Sequence, residues 1–83
     1  MLTIKVLGPG CENCKRLAWL ADRAAQHMGI EARIEKVTDY AAIMQYDILS
    51  TPGLVINEKL VSAGRIPSEA EITTFLTDAL EAA

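Results

Sequence analysis

An α/β layered fold, with a four-stranded mixed sheet covered by three helices, is predicted by three features of this 83-residue chain. A β-prone opening runs through a glycine-rich break into a long amphipathic helix. A proline-led apolar segment in the second half reads as a tight hairpin. A helix that opens on a capping box closes the chain. With one further strand and one short helix between them, the order is β-α-β-α-β-β-α, a single domain over residues 1–83.

Each element has its own grounds. Leu2-Thr3-Ile4-Lys5-Val6-Leu7 is rich in strand formers and partly alternating, and Gly8-Pro9-Gly10 stops it. A helix follows from Cys11 or Glu12 to about Met28. Leu17, Ala18, Ala21, Ala24, Ala25 and Met28 fall on one stripe at helical spacing. The stripe is mostly alanine, so this helix can lie close against a sheet. Gly29 stands where a left-handed residue ends a helix. Residues 31–37 alternate weakly and form the second strand, parallel to the first through a right-handed crossover. Asp39 is an N-cap for a short helix that turns Ile43 and Met44 inward. Thr51-Pro52-Gly53 breaks the chain before two short strands, Leu54–Ile56 and Leu60-Val61. Asn57-Glu58 is the tight turn between them, which makes an antiparallel hairpin. After Pro67, Ser68 and Glu71 form a capping box. The helix they open carries Ile72, Phe75, Leu76, Ala79 and Leu80 on one face.

Composition excludes several function classes. The net charge is −3 and the eight Lys and Arg are scattered, so no basic stripe exists to follow a nucleic-acid backbone. One Phe, two Tyr and one Trp leave little for stacking on bases. No apolar run approaches the roughly 20 residues of a membrane helix. The N-terminus has no basic, apolar and cleavage regions of the signal-peptide kind, so a cytoplasmic location is expected. A monomer is expected as well. No paired carboxylates, Ser/His/Asp set or phosphate loop is present.

The chemistry-bearing residues are Cys11 and Cys14. Two cysteines are too few for a disulfide-stapled scaffold, and C-x-x-C reads as a redox pair or half a metal site. The predicted layout puts Cys11 where a strand ends and a helix begins. Unpartnered N–H groups and the helix dipole favour a thiolate there, and the thiolate is the nucleophile in disulfide exchange. Lys15 and Arg16 favour it too, while Glu12 opposes it. The spacing lets the two sulfurs close a disulfide, with Cys11 the more exposed attacking thiol and Cys14 the resolving one. A zinc site needs about four ligands, and His27 lies roughly four helical turns from Cys14, so no complete metal centre is expected. Three other readings remain: a soft-metal (copper or zinc) carrier through the same two thiolates, a non-catalytic interaction domain, and a merely structural cysteine pair. A copper-carrier βαββαβ pattern needs neither Thr51-Pro52 nor a C-terminal helix, and both are here.

Gly8-Pro9-Gly10-Cys11-Glu12-Asn13-Cys14-Lys15, followed by Ser50-Thr51-Pro52-Gly53-Leu54-Val55-Ile56-Asn57, resembles the small thioredoxin-like proteins known as redox-active disulfide proteins or glutaredoxin-like thioredoxins. The similarity continues through Val61 and Ala63–Ser68 and covers nearly the whole chain. The resemblance implies a thioredoxin fold without the extra N-terminal strand and helix. It implies a thiol–disulfide oxidoreductase that reduces disulfides in proteins or small molecules. A thioredoxin-reductase-like donor would re-reduce it, and no bound cofactor is called for. It further implies a cis Thr51–Pro52 bond facing the two cysteines, with the Thr51 backbone pairing to an extended substrate. Gly10 and Gly64 would border the same groove.

The chain also departs from that family. The Trp-Cys-Gly-Pro-Cys motif is absent. No buried acid is evident, and Lys5 stands in the first strand instead. Ser62-Ala63-Gly64-Arg65 replaces the glycine-glycine-acid segment that helps bind glutathione, which argues against glutathione as a ligand. Asp47 and Glu58 stand where relatives usually have glycine. Aspartate tolerates a left-handed cap, but glutamate at positive φ is strained, so the hairpin turn is expected to adapt.

Trp19 falls on the polar side of the first helix, near Lys15, Asp22, Arg23 and Gln26, and is expected to lie flat over neighbouring side chains, with Lys15 a candidate to cover it and a contact surface as the alternative. His27 suits the helix end. Tyr40 and Tyr46 read as core-edge residues, and the acids of the last helix as its solvated face.

Overall fold

A computed structural model describes residues 2–10 and 12–82. The elements are β1 (Leu2–Leu7), α1 (Glu12–Met28), β2 (Ala32–Val37), α2 (Tyr40–Met44), β3 (Gly53–Ile56), β4 (Lys59–Ala63) and α3 (Glu69–Ala82). The sheet order is β2-β1-β3-β4. β1 runs parallel to β2, from Leu2 opposite Ala32 to Leu7 opposite Val37. It runs antiparallel to β3, from Ile4 opposite Ile56 to Leu7 opposite Gly53. β4 pairs antiparallel with β3, with a register shift between Leu54 and Val55.

Alternation along β1 sorts the core into two layers. Leu2, Ile4 and Val6, with Leu54 and Ile56, face α1 and α3 and meet Leu17, Ala21, Ala24, Ile72 and Leu76. Leu7 and Val55 face the other way, onto Ile43 and Ile48. Ala21 and Ala24 are fully buried, and their small size lets α1 approach the sheet. At its far end α1 closes with Gly29 at φ +68°. The Gly29 N–H donates to the Gln26 carbonyl at 3.1 Å and the Ile30 N–H to the Ala25 carbonyl at 3.2 Å, the paired bonds of a Schellman cap.

α2 is capped by Asp39, whose carboxylate accepts from the Ala42 N–H at 3.1 Å. The helix has only five residues, so a single side chain, Ile43, turns fully inward. Met44 is 43% exposed, against the sequence expectation, and Ile48 beyond the helix fills the second place. Tyr40 is likewise exposed at 74% rather than at the core edge. Asp47 takes the left-handed conformation at φ +56°.

The hairpin turn does not adapt to glutamate. Asn57 (φ +49°) and Glu58 (φ +68°) both occupy the left-handed region, the geometry of a type I′ turn. Contacts to β1 hold it there. The Asn57 N–H donates to the Thr3 carbonyl at 2.8 Å, and the Thr3 N–H donates to Asn57 Oδ1 at 3.1 Å. Glu58 Oε1 lies 2.6 Å from Lys5 Nζ, and Lys5 Nζ also donates to the Tyr46 hydroxyl at 3.1 Å. The bond from Lys5 holds the Glu58 carboxyl below its usual range, and the same bond raises the Lys5 ammonium.

α3 opens on the predicted box. The Glu71 N–H donates to Ser68 Oγ at 3.2 Å and the Ser68 N–H to Glu71 Oε1 at 3.3 Å. Ile72 and Leu76 are fully buried, while Leu80 emerges at 45% exposure as the helix outruns the sheet. Glu69 is not a solvated acid. It bridges to α1, with Arg23 Nε and His27 Nδ1 each 2.9 Å from its carboxylate. Arg23, not Lys15, covers Trp19, with its guanidinium 5.3 Å from the ring centre.

Candidate functional site

The site grows from the point where β1 leaves the sheet. Leu7 is fully buried, so the strand ends in the core, and Gly8 is buried after it. The Gly8 N–H still donates to the Val37 carbonyl at 3.0 Å. Pro9 and Gly10 then emerge, with Gly10 at φ +92°, a conformation that side chains disfavour. α1 begins at Glu12. Cys11, the predicted nucleophile, lies outside the described residues.

Cys14 is the third residue of α1 and is buried at 4% exposure on the apolar face, with Leu17 and Ala18 one turn on. Its position is defined by what is missing beneath it. A β-carbon added at Gly8 would collide with Cys14 Sγ, and would stand 3.8 Å from Thr51 Cβ. The end of β1, the first turn of α1 and the segment before β3 therefore meet at one point.

The third wall is the Thr51–Pro52 segment, whose peptide bond is cis. Thr51 is exposed and Pro52 buried. The end of β4 backs this segment. The Gly64 N–H donates to the Pro52 carbonyl at 3.0 Å, and a β-carbon at Gly64 would stand 3.1 Å from Ser50 Cβ. Gly64 also has φ +76°, so both conformation and space favour glycine there.

Of the predicted site residues, Cys14, Thr51, Pro52 and Gly64 are thus brought together. Gly10 stands apart, with open space where its side chain would be. Gly8 is the residue that sequence reasoning missed: it reads as a strand terminator, yet it makes room for the Cys14 sulfur. The available signal is its place at the strand end, directly beneath the first turn of the C-x-x-C helix.

Charge around the first turn is mixed. Lys15 Nζ lies 3.8 Å from Glu12 Oε1, both side chains largely in water, and Arg16 is exposed beside them. Among the described residues no three His, Cys, Asp or Glu side chains are grouped to hold a metal ion. Geometrically, the site presents a recessed sulfur beside the exposed residue Thr51, an arrangement suited to thiol exchange.

Comparison with known proteins bears on this geometry. A family model described as a thioredoxin domain matches residues 2–77. The thioredoxin of Methanothermobacter thermautotrophicus is 34% identical over 77 residues, covering 93% of this chain and 100% of that protein. The thioredoxin of Methanocaldococcus jannaschii is 36% identical over 81 residues, covering 98% of this chain and 93% of that protein. Among solved structures, thioredoxin-2 of a malaria parasite superposes with a TM-score of 0.67 at 12% identity, over 94% of this chain and 82% of that one. The oxidised thioredoxin of Plasmodium falciparum gives a TM-score of 0.60 at 17% identity, over 94% and 80%. At such identities the structural likeness speaks for the fold alone.

Proposed function

The chain belongs to the thioredoxin family and is a thiol–disulfide oxidoreductase, and from that premise we propose that Cys11 and Cys14 are its working dithiol. The thiolate of Cys11 attacks one sulfur of a substrate disulfide. The other substrate sulfur leaves as a thiolate, and a mixed disulfide joins the two molecules. The Cys14 thiolate then attacks the Cys11 sulfur and releases the second substrate thiol. The substrate disulfide has gained two electrons and, with two protons, become two thiols, while the protein holds the Cys11–Cys14 disulfide. Thioredoxins act on disulfide substrates with a reductase partner. Here a thioredoxin-reductase-like donor returns two electrons and two protons to the pair, and no bound cofactor takes part.

The observation that carries this reading is the packing of Cys14 Sγ at the junction of Gly8 and Thr51. A resolving thiol must sit behind the attacking one, and the junction holds this sulfur at the edge of the core. Thr51, an exposed residue, offers its backbone to an extended substrate, and Gly64 backs the segment through its bond to the Pro52 carbonyl. The substrates are disulfides of proteins or small molecules, and the reducing cytoplasm is the compartment that suits such a carrier.

Single-cysteine variants test the reading. Cys11→Ser abolishes disulfide reduction. Cys14→Ser still attacks, and accumulates the mixed disulfide that mass analysis detects. Retained turnover in Cys11→Ser would overturn the assignment.

A further inference from the structure

We propose that the outer face of the first half of α1, built on Lys15, Arg16 and Trp19, receives an acidic segment flanking the disulfide of a protein substrate. The inference rests on the dithiol reading above and deepens it by naming a substrate class.

Trp19 is 59% exposed, one of the few large apolar side chains left in water. Beside it runs a shallow groove of about 380 Å³ lined by Glu12, Lys15, Arg16 and Trp19. Arg23 stacks on the tryptophan and is anchored by Glu69, so the far side of the ring is fixed. Its near side opens on the groove.

The charges of the groove set the partner's sign. No carboxylate of the described residues pairs with Arg16. The Lys15–Glu12 pair is long at 3.8 Å, with the two side chains 62% and 93% exposed, so water and salt loosen it. Asp22, on the next turn, does not line the groove, and its carboxylate accepts from Gln26 Nε2 at 2.8 Å. The groove is therefore cationic on a chain whose net charge is −3. An exposed aromatic ring beside Arg16 and the loosely paired Lys15 matches a segment that carries carboxylates and an apolar residue.

Position links the face to the chemistry. Trp19 follows Glu12, the first residue of α1 and the neighbour of Cys11 in sequence, by seven residues, roughly 10–11 Å along the helix. A chain bonded to Cys11 spans that distance in three or four residues. The acidic side chains would thus stand three or four positions from the substrate cysteine.

Two disulfide-linked peptides of equal length test this, one with Asp and Glu at those positions and one with Lys and Arg. The readout is the ratio of their kcat/KM values. Thiol reactivity cancels from that ratio, because the same dithiol attacks both peptides. At low salt the acidic peptide is favoured about three- to tenfold, and near 1 M salt, where the screening length is about 3 Å, the preference falls towards one. Lys15→Glu/Arg16→Glu inverts the preference, and Trp19→Ala lowers kcat/KM for the acidic peptide. A ratio near one or below in the native protein, or one that the charge reversal leaves unmoved, overturns the proposal. Reduction of neither peptide would instead overturn the dithiol reading and this inference with it.

Discussion

Alanine at Gly8 adds one methyl group where the fold has left room for a sulfur. The new β-carbon collides with Cys14 Sγ and stands 3.6 Å from Cys14 Cβ and 3.8 Å from Thr51 Cβ. Gly8 does not have the positive φ of Gly10, Gly29 and Gly64, so alanine fits its backbone and the unfolded chain loses some freedom. That alone stabilises by about 0.4–1 kcal/mol. Overpacking the junction costs about 1–3 kcal/mol. The net loss is roughly 1 kcal/mol, or about 4–8 °C in Tm for a domain of this size. The chemical effect is larger. Cys14 must turn its sulfur away from the junction, and a displacement of about 1 Å in a reacting group costs up to about a hundredfold in rate. Thermal unfolding measures the first effect, and release of substrate from the mixed disulfide measures the second. Gly53→Ala serves as the control, because its β-carbon meets Ile48 Cδ1, the free end of a flexible side chain away from the thiol. A Gly8→Ala protein with native Tm and native release rate would refute this account of the junction.

Other expectations follow from the same packing. Leu17→Ala and Ile72→Ala each remove a fully buried side chain from the α1–α3 layer and cost about 2–5 kcal/mol, read by denaturant titration. Ser68→Ala removes the oxygen that accepts the Glu71 N–H and lowers stability by about 1 kcal/mol while leaving disulfide reduction unchanged. Glu58 makes stability depend on pH. Its carboxyl titrates below the ordinary 4.5 because of the Lys5 hydrogen bond, so its contribution is complete above pH 4.5 and is lost as pH falls through the lowered value. Glu58→Gln therefore flattens the fall of stability with acid, as measured by unfolding at pH 7 and pH 3. An unaltered slope would show that the pair is fully screened by water.

Much of this was readable along the chain because period and punctuation agree locally. The alanine stripe of α1, Gly29 behind it and the Ser68–Glu71 box each carry a short-range physical cause, and each element lies where that cause puts it. The readings that failed depend on contacts distant in sequence. Glu58 reads as a residue that makes the turn adapt until Lys5, 53 positions earlier by numbering, is seen to hold its carboxylate while its φ stays at +68°. Glu69 reads as a solvated acid until α1 brings Arg23 and His27 against it. Met44 and Tyr40 fail for another reason: in a five-residue helix the periodic pattern is too short to tell inner from outer positions. At the site, the C-x-x-C spacing and Thr51-Pro52 were visible as motifs. The space Gly8 makes for the Cys14 sulfur is visible only once strand, helix and loop converge.

The central claim, that Cys11 and Cys14 form a reversible dithiol, is tested most directly by redox equilibrium. The protein is equilibrated in metal-free thiol buffers of known potential, and the oxidised fraction is read by alkylation and mass. The account predicts one two-electron transition between about −180 and −300 mV. The absence of any reversible intramolecular disulfide in that range would contradict it.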